Sequence, residues 1–166
     1  MQNSLNSSFL STEELSHLNW GSLGERVLIH NTAILVNTDR MFIGNDVRID
    51  GVSCLSAGSR ISIGNHVHVS TNASLVGAAE IALCDYCNLS QGVRIFSSSD
   101  DYSGLFMTNP TNPIEFRNVD SREVEIGRHA IVGAGSVVLP GANIGEGSAV
   151  GAWSLVKEPL APWGIY

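Results

Sequence analysis

Aliphatic residues recur at a fixed step along this chain. Ile43, Ile49 and Leu55 stand six apart, and the same trio returns twenty residues later as Ile63, Val69 and Leu75, then as Leu83, Leu89 and Ile95, and twenty residues earlier as Leu23, Ile29 and Leu35. Met41, Ile61 and Ile81 add one more apolar position at the twenty-residue interval. After an interruption the step resumes as unbroken sixes through Ile126, Val132, Val138, Ile144, Val150 and Val156. The fourth residue after each of these is as a rule small or branched. Val27, Ala33, Val47, Ser53, Ser59, Val67, Ala73, Ala79, Cys87, Val93 and Ser99 follow that rule, as do Ala130, Ser136, Ala142, Ser148 and Ser154, with Asp39 the exception.

A six-residue period suits neither a 3.6-residue helix nor simple strand alternation. It suits a short strand and a corner, repeated. Three such sides close a triangular coil, with one aliphatic and one small side chain facing inward from each side. Gly, Asn and Asp follow the aliphatic residue, as in Ile43-Gly44-Asn45-Asp46 and Ile144-Gly145-Glu146-Gly147, and supply the permissive backbone of corners. The expected fold is therefore all-β, a parallel β-helix of about six coils. With 43% hydrophobic residues but only 7% aromatic ones, its core is built from many thin side chains.

The repeat also divides the chain. Residues 1–22 form an N-terminal helical cap, in which Ser11-Thr12-Glu13-Glu14 has capping-box spacing and Leu15 and Leu18 cover the first coil. Residues 23–166 form the β-helix, with a loop inserted at about 100–123 where the six-residue phase is lost. A long irregular insertion in a compact repeat is usually functional.

Several classes are disfavoured by composition. Nine Lys and Arg against sixteen Asp and Glu give a net charge of −7 with no basic run, which argues against nucleic acid as a partner. No stretch is long and apolar enough for a membrane span, and the start MQNSLNSSFLSTEELSHLNW has no apolar leader segment, so a cytoplasmic location is expected. Three cysteines, Cys54, Cys84 and Cys87, make no disulfide framework. The lone Cys84/Cys87 pair lacks a second pair for zinc.

The ruler gives each histidine a direction. His66, His68 and His129 point out of the coils, His30 sits at a corner and His17 lies on the cap. His17, His30 and His129 read as surface residues. His68 has different company, because the next coil sets Asn88, Ser90 and Gln91 beside it, while Ser97, Asp100, Asp101 and Tyr102 mark the root of the loop. An outward imidazole on a rigid flank near mobile carboxylates suits a general base. His66 and His68 together also suggest a metal pair, but no third ligand is evident and no metal is expected.

The series from Ile126 to Gly147, with Val132-Gly133-Ala134-Gly135-Ser136 at its centre, resembles the hexapeptide-repeat acyltransferases. That resemblance implies a left-handed β-helix. NHVHVSTNASLVG, RIFSSSDDYSG, MTNPTNP and WGIY look more narrowly like the bacterial sugar O-acetyltransferases of capsule and lipopolysaccharide gene clusters. Such enzymes are typically homotrimers that bind acetyl-CoA between subunits and use a histidine base. By that resemblance His68 is the base, the acceptor sugar meets Asn88, Ser97, Asp100, Asp101 and Tyr102, pantetheine runs along Gly133, Ala134, Gly135, Gly151 and Ala152, and Lys157 meets a phosphate. Two departures stand out. Ser99-Asp100-Asp101 replaces the T-H-P of the galactoside branch, and the sequence stops at W-G-I-Y, where relatives continue into a final helix. Trp153 stands where many relatives carry Gly, placed to stack on the cofactor or to pack in an interface.

The resulting expectation is acetyl transfer from acetyl-CoA to a sugar hydroxyl in surface polysaccharide biosynthesis. N-acetylation of an amino sugar is the alternative on the same fold. A zinc hydratase and a non-enzymatic scaffold are the remaining readings.

Overall fold

The computed structural model describes residues 8–166, so the start of the expected 1–22 cap lies outside the described residues. The chain winds as a parallel β-helix with three faces. The first face stacks Ser22–Leu23, Met41–Ile43, Ile61–Ile63, Ile81–Leu83 and Val124–Ile126. The second stacks Leu28–Ile29, Arg48–Ile49, His68–Val69, Asn88–Leu89, Ile131–Val132 and Ala149–Val150. On the third lie Ile34–Val36, Cys54–Ala57, Ser74–Gly77, Arg94–Phe96, Val137–Val138 and Leu155–Val156. Single bridges from Ile126 through Ile144 to Leu160, and from Ala149 to Ile165, extend the first two faces. The result is six coils and a partial seventh, consistent with left-handed winding.

The register follows the ruler. Ile43 pairs with Ile63, Val69 with Leu89 and Leu55 with Leu75, so each aliphatic residue lies on its equivalent one coil away. These inward rows are buried almost completely, each side chain contributing about 1.5–3 kcal/mol relative to exposure.

The third corner departs from the ruler, and for a physical reason. In the twenty-residue coils the small inward residue comes two places after the aliphatic one, so Ala57 and Ser97 are buried while Ser59 is exposed. Longer third-face strands carry the chain through this corner, and the inward Met41, Ile61, Ile81 and Val124 absorb the two extra residues. At Gly77 (φ +155°) an added Cβ would come within 2.6 Å of the Ser97 backbone nitrogen. Only glycine fits there.

The first corner is held in left-handed backbone by ordinary residues: Arg26, Asp46, His66, Tyr86 and His129 have φ between 54° and 61°. Such geometry costs about 1–2 kcal/mol per L-residue. Side chains compensate. Asn45 Oδ1 accepts from the Glu25 amide at 2.8 Å, Asn65 Oδ1 from the Asn45 amide at 2.9 Å and Asp85 Oδ1 from the Asn65 amide at 2.6 Å. His66, Tyr86 and His129 stack with ring centroids 4.9 and 5.0 Å apart.

At the N-terminal end, helix α1 (Thr12–Ser16) has the expected capping box between Ser11 and Glu14. Leu15 is buried, but Leu18 is exposed. Trp20 takes the covering role expected of Leu18, packing on the core and donating from Nε1 to the Leu15 carbonyl at 2.8 Å. The 100–123 segment leaves the third face through an antiparallel pair, Ser98–Ser99 with Asp120–Ser121.

Candidate functional site

On the second face, strand pleating turns alternate residues outward. Arg48, His68 and Asn88 are neighbours in one outward row. Asp50, two residues past Arg48, meets both side chains: His68 Nε2 lies 2.8 Å from Asp50 Oδ2, and Arg48 Nε donates to Asp50 Oδ1 at 2.7 Å. Burial pushes the Asp50 carboxyl upward, but the hydrogen bonds from His68 and Arg48 outweigh it and hold the pKa below the usual carboxylate range. An ionised Asp50 assigns the proton to His68 Nε2 and leaves Nδ1 with its lone pair. Nδ1 makes no hydrogen bond among the described residues.

His66 does not join His68. It sits in the left-handed corner against Tyr86 rather than on the strand, so the two rings do not converge as alternate strand residues would. Among the described residues no group of three or more His, Cys, Asp or Glu side chains is placed to hold a metal ion. Burial first, then the neighbouring Cys84, pushes the Cys87 thiol up to about 12, which keeps it protonated and unreactive.

The corner between the second and third faces carries a groove of about 610 Å³, lined by Asn72, Gln91, Gly92, Arg94, Ala134, Gly135, Val137, Trp153, Ser154 and Leu155. The Trp153 indole lies over Gly135 so closely that a Cβ there (φ +71°) would meet the ring at 2.9 Å. Gly133 follows the same line and bonds to the Val150 carbonyl at 2.8 Å, one step before Gly151 and Ala152. Of the five glycine and alanine positions expected along the cofactor, Ala134 and Gly135 line the groove directly. Arg94 is a groove cation that the sequence argument passed over. It makes no ion pair or hydrogen bond through its side chain among the described residues.

A second cavity, of about 380 Å³, lies at the loop root between Asp100, Asp101, Tyr102, Asp120, Arg122 and Lys157. Lys157 therefore sits with the loop carboxylates and not with Gly135. Within one chain His68 and Asp100 are not brought together: His68 is on the second face and Asp100 follows the third. Ser97 is corrected outright. It is fully buried, its hydroxyl donating to the Ala79 carbonyl at 2.7 Å, because the third corner turns it inward where the ruler turned it out. Asn88 is half-buried beside His68.

Asp50 was missed as the partner of His68, although the ruler could have found it. Arg48 is one coil below His68, and the residue two places beyond Arg48 falls in the adjacent outward row.

A family model described as bacterial transferase hexapeptide (six repeats) matches residues 123–158. The dTDP-4-amino-4,6-dideoxy-D-glucose acyltransferase of Escherichia coli is 41% identical over 151 residues, spanning 90% of this chain and 79% of the relative. The chain belongs to the hexapeptide-repeat acyltransferases. Among solved acyltransferases of this kind, AntD, an N-acyltransferase from Bacillus cereus in complex with dTDP and 3-hydroxybutyryl-CoA, superposes with a TM-score of 0.92 at 39% identity, covering 96% of this chain and 84% of AntD. The acetyltransferase domain of PglB from Neisseria gonorrhoeae, with acetyl coenzyme A, shares the fold at a TM-score of 0.61 and 18% identity, over 84% of this chain and 53% of that one.

Proposed function

We propose that this acyltransferase moves an acyl group from a coenzyme A thioester to the amine of a dTDP-linked amino sugar. The observation that carries this reading is the 39% identity, over 96% of the chain, to an N-acyltransferase that holds dTDP and an acyl-CoA. The amine acceptor, the alternative at the level of sequence, displaces the hydroxyl acceptor. The assembly is a homotrimer in the cytoplasm, and the product serves surface polysaccharide biosynthesis.

The groove along Gly92, Ala134 and Trp153 takes the pantetheine arm, and Gly92, where an added Cβ would meet nothing nearer than 3.9 Å, leaves room for its close approach. Gly133, Gly151 and Ala152 continue that line. Arg94, and Lys157 of the loop-root cavity, offer cations to the coenzyme phosphates.

The amine nitrogen attacks the thioester carbonyl carbon, forming the C–N bond. The C–S bond breaks and the sulfur leaves with the electron pair. His68 Nδ1 accepts the proton released by the nitrogen and passes it to the departing thiolate. Asp50 steadies the ring and stabilises its charged form.

AntD has also been solved with dTDP and coenzyme A after substitution of a serine and of an aspartate ten residues apart. In this chain Ser90 is the only serine followed ten residues later by an aspartate, Asp100. Ser90 stands in the outward row with Ser70, next to His68, whereas Asp100 is a full face away. A neighbouring subunit that presents its loop to this face unites them, with Asp101 and Tyr102 contacting the sugar. Asn88 lines the same wall.

Incubation with acetyl-CoA and dTDP-4-amino-4,6-dideoxyglucose tests the reading by release of free thiol. The expected result is release that requires the amino sugar. Thiol release unaffected by the amino sugar overturns it.

A further inference from the structure

Residues 100–119 leave the third face as one long loop that hangs from a short root. Two residue pairs join its ends, Ser98 with Ser121 and Ser99 with Asp120, and the Arg122 amide donates to the Ser97 carbonyl at 3.1 Å. An antiparallel pair of that length is marginal by itself.

Arg122 braces the root against the next coil. Its Nε donates to Asp120 Oδ1 at 2.9 Å and its Nη2 to Asp120 Oδ2 at 2.7 Å, so the guanidinium holds both carboxylate oxygens. The same guanidinium lies over Gly141, where an added Cβ would come within 2.8 Å of Nη1 and 3.1 Å of Cζ. The floor beneath it is stiff. Pro140 is buried, Gly141 has φ +77°, and the Ala142 amide donates to the Leu139 carbonyl at 3.0 Å, the pattern of a type II turn with Pro second and Gly third.

We infer that Arg122 is a positioning residue for Asp100, fixing the root from which that carboxylate is presented to the neighbouring subunit's site. This rests on the proposed reading, in which Asp100 completes that site, and adds what holds it there.

The chain of contacts is short. The Pro140–Gly141 turn seats Arg122, Arg122 holds Asp120, Asp120 stands opposite Ser99, and Asp100 follows directly. Arg122, Asp120 and Asp100 line one cavity of about 380 Å³, with Leu139 and Pro140 on its wall. Asp100 itself is held loosely. Its Oδ2 accepts from the Asn109 amide at 3.3 Å, and its Oδ1 accepts no hydrogen bond among the described residues, so its place depends on the root. Stability is a poor reason for the brace, because the Arg122 and Asp120 side chains are 59% and 48% exposed and an exposed ion pair stabilises little. What the pair supplies is the orientation of the loop.

Steady-state kinetics with acetyl-CoA and dTDP-4-amino-4,6-dideoxyglucose on wild type, R122Q, R122K, D100N and the R122Q/D100N double variant, with urea midpoints alongside, tests this. R122Q is expected to lower kcat/KM for the amino sugar by about tenfold to a hundredfold, the cost of a slightly misplaced group, with KM for acetyl-CoA within about twofold and the urea midpoint little changed. R122K, which keeps the charge without the fork, is expected to regain part of the loss. On the D100N background the further loss from R122Q is expected to shrink to within about twofold, because residues that act through one another are not additive. Full multiplication of the two losses overturns the brace, as does wild-type kcat/KM in R122Q. Unfolding of R122Q under assay conditions marks a structural role and overturns it also. Wild-type rates in D100N instead remove Asp100 from the site, which overturns that part of the proposed reading and the brace with it.

Discussion

His68 Nε2 lies 2.8 Å from the carboxylate of Asp50, one coil toward the N-terminus. The pairing leaves Nδ1 as the acceptor nitrogen of an imidazole held on a rigid face. H68A is therefore expected to lower kcat at least about a hundredfold, the usual contribution of a positioned general base, with KM for coenzyme A little changed. D50N is expected to lower kcat less, because the amide oxygen still accepts from Nε2 and holds the ring. Steady-state kinetics separates the two.

The same carboxylate predicts a pH dependence of stability. Asp50 is held below the usual carboxylate range in the folded protein, burial opposing and the His68 and Arg48 hydrogen bonds prevailing. A depressed carboxylate pKa contributes stability that is fully present above the unfolded value, about 4, and is lost as pH falls through the folded value. D50N is expected to flatten the decline of urea midpoint below about pH 4 relative to wild type, with denaturation curves measured at several pH values as the check.

Gly77 and Ser97 test the account of the third corner. A Cβ at Gly77 would approach the Ser97 amide nitrogen to 2.6 Å, backbone that cannot swing aside. G77A is expected to destabilise by about 1–3 kcal/mol, the range of overpacked sites. S97A, which strips a buried donor from the Ala79 carbonyl, is expected to cost about 1–3 kcal/mol without a specific rise in acceptor KM. Urea unfolding and acceptor KM together distinguish a structural Ser97 from a sugar contact.

Trp153 lies over Gly135 in the coenzyme groove, yet is 84% exposed. W153A is expected to raise KM for acyl-CoA by about twofold to tenfold, the equivalent of about 0.5–1.5 kcal/mol of stacking, and to leave KM for the acceptor unchanged.

A site shared between subunits allows complementation. Trimers assembled from equal amounts of refolded H68A and D100A chains are expected to recover roughly a quarter of wild-type activity, because each site draws His68 from one chain and Asp100 from its neighbour independently. Recovery of none would place both groups in one chain's site, whereas activity of D100A by itself would remove Asp100 from catalysis.

The coil architecture was legible because its cause is local and repeated. Each of Ile49, Val69 and Leu89 faces the same interior, so the period survives in the sequence even when single residues vary. The third corner was not, since a twenty-residue coil hides where its two extra residues go; Ser97 was misplaced for that reason. His68 was legible as outward, but its partner lay one coil away and depended on the direction in which a side chain leans. His66 reads as an outward residue paired with His68, yet a left-handed corner and the Tyr86 ring redirect it. Ser90 carried no chemical signal of its own. The nature of the acceptor was invisible for a deeper reason: hydroxyl and amine acceptors both need the same base and the same groove.

The central claim is most directly tested by kcat/KM for dTDP-4-amino-4,6-dideoxyglucose against its 4-hydroxy counterpart, with product identity fixed by mass. A single added acyl group on the amine is expected, with a preference of at least about a hundredfold over the hydroxyl sugar, since a neutral amine is the stronger nucleophile and a site built to hydrogen-bond it rejects the analogue. Equal or faster acylation of the hydroxyl sugar would contradict it.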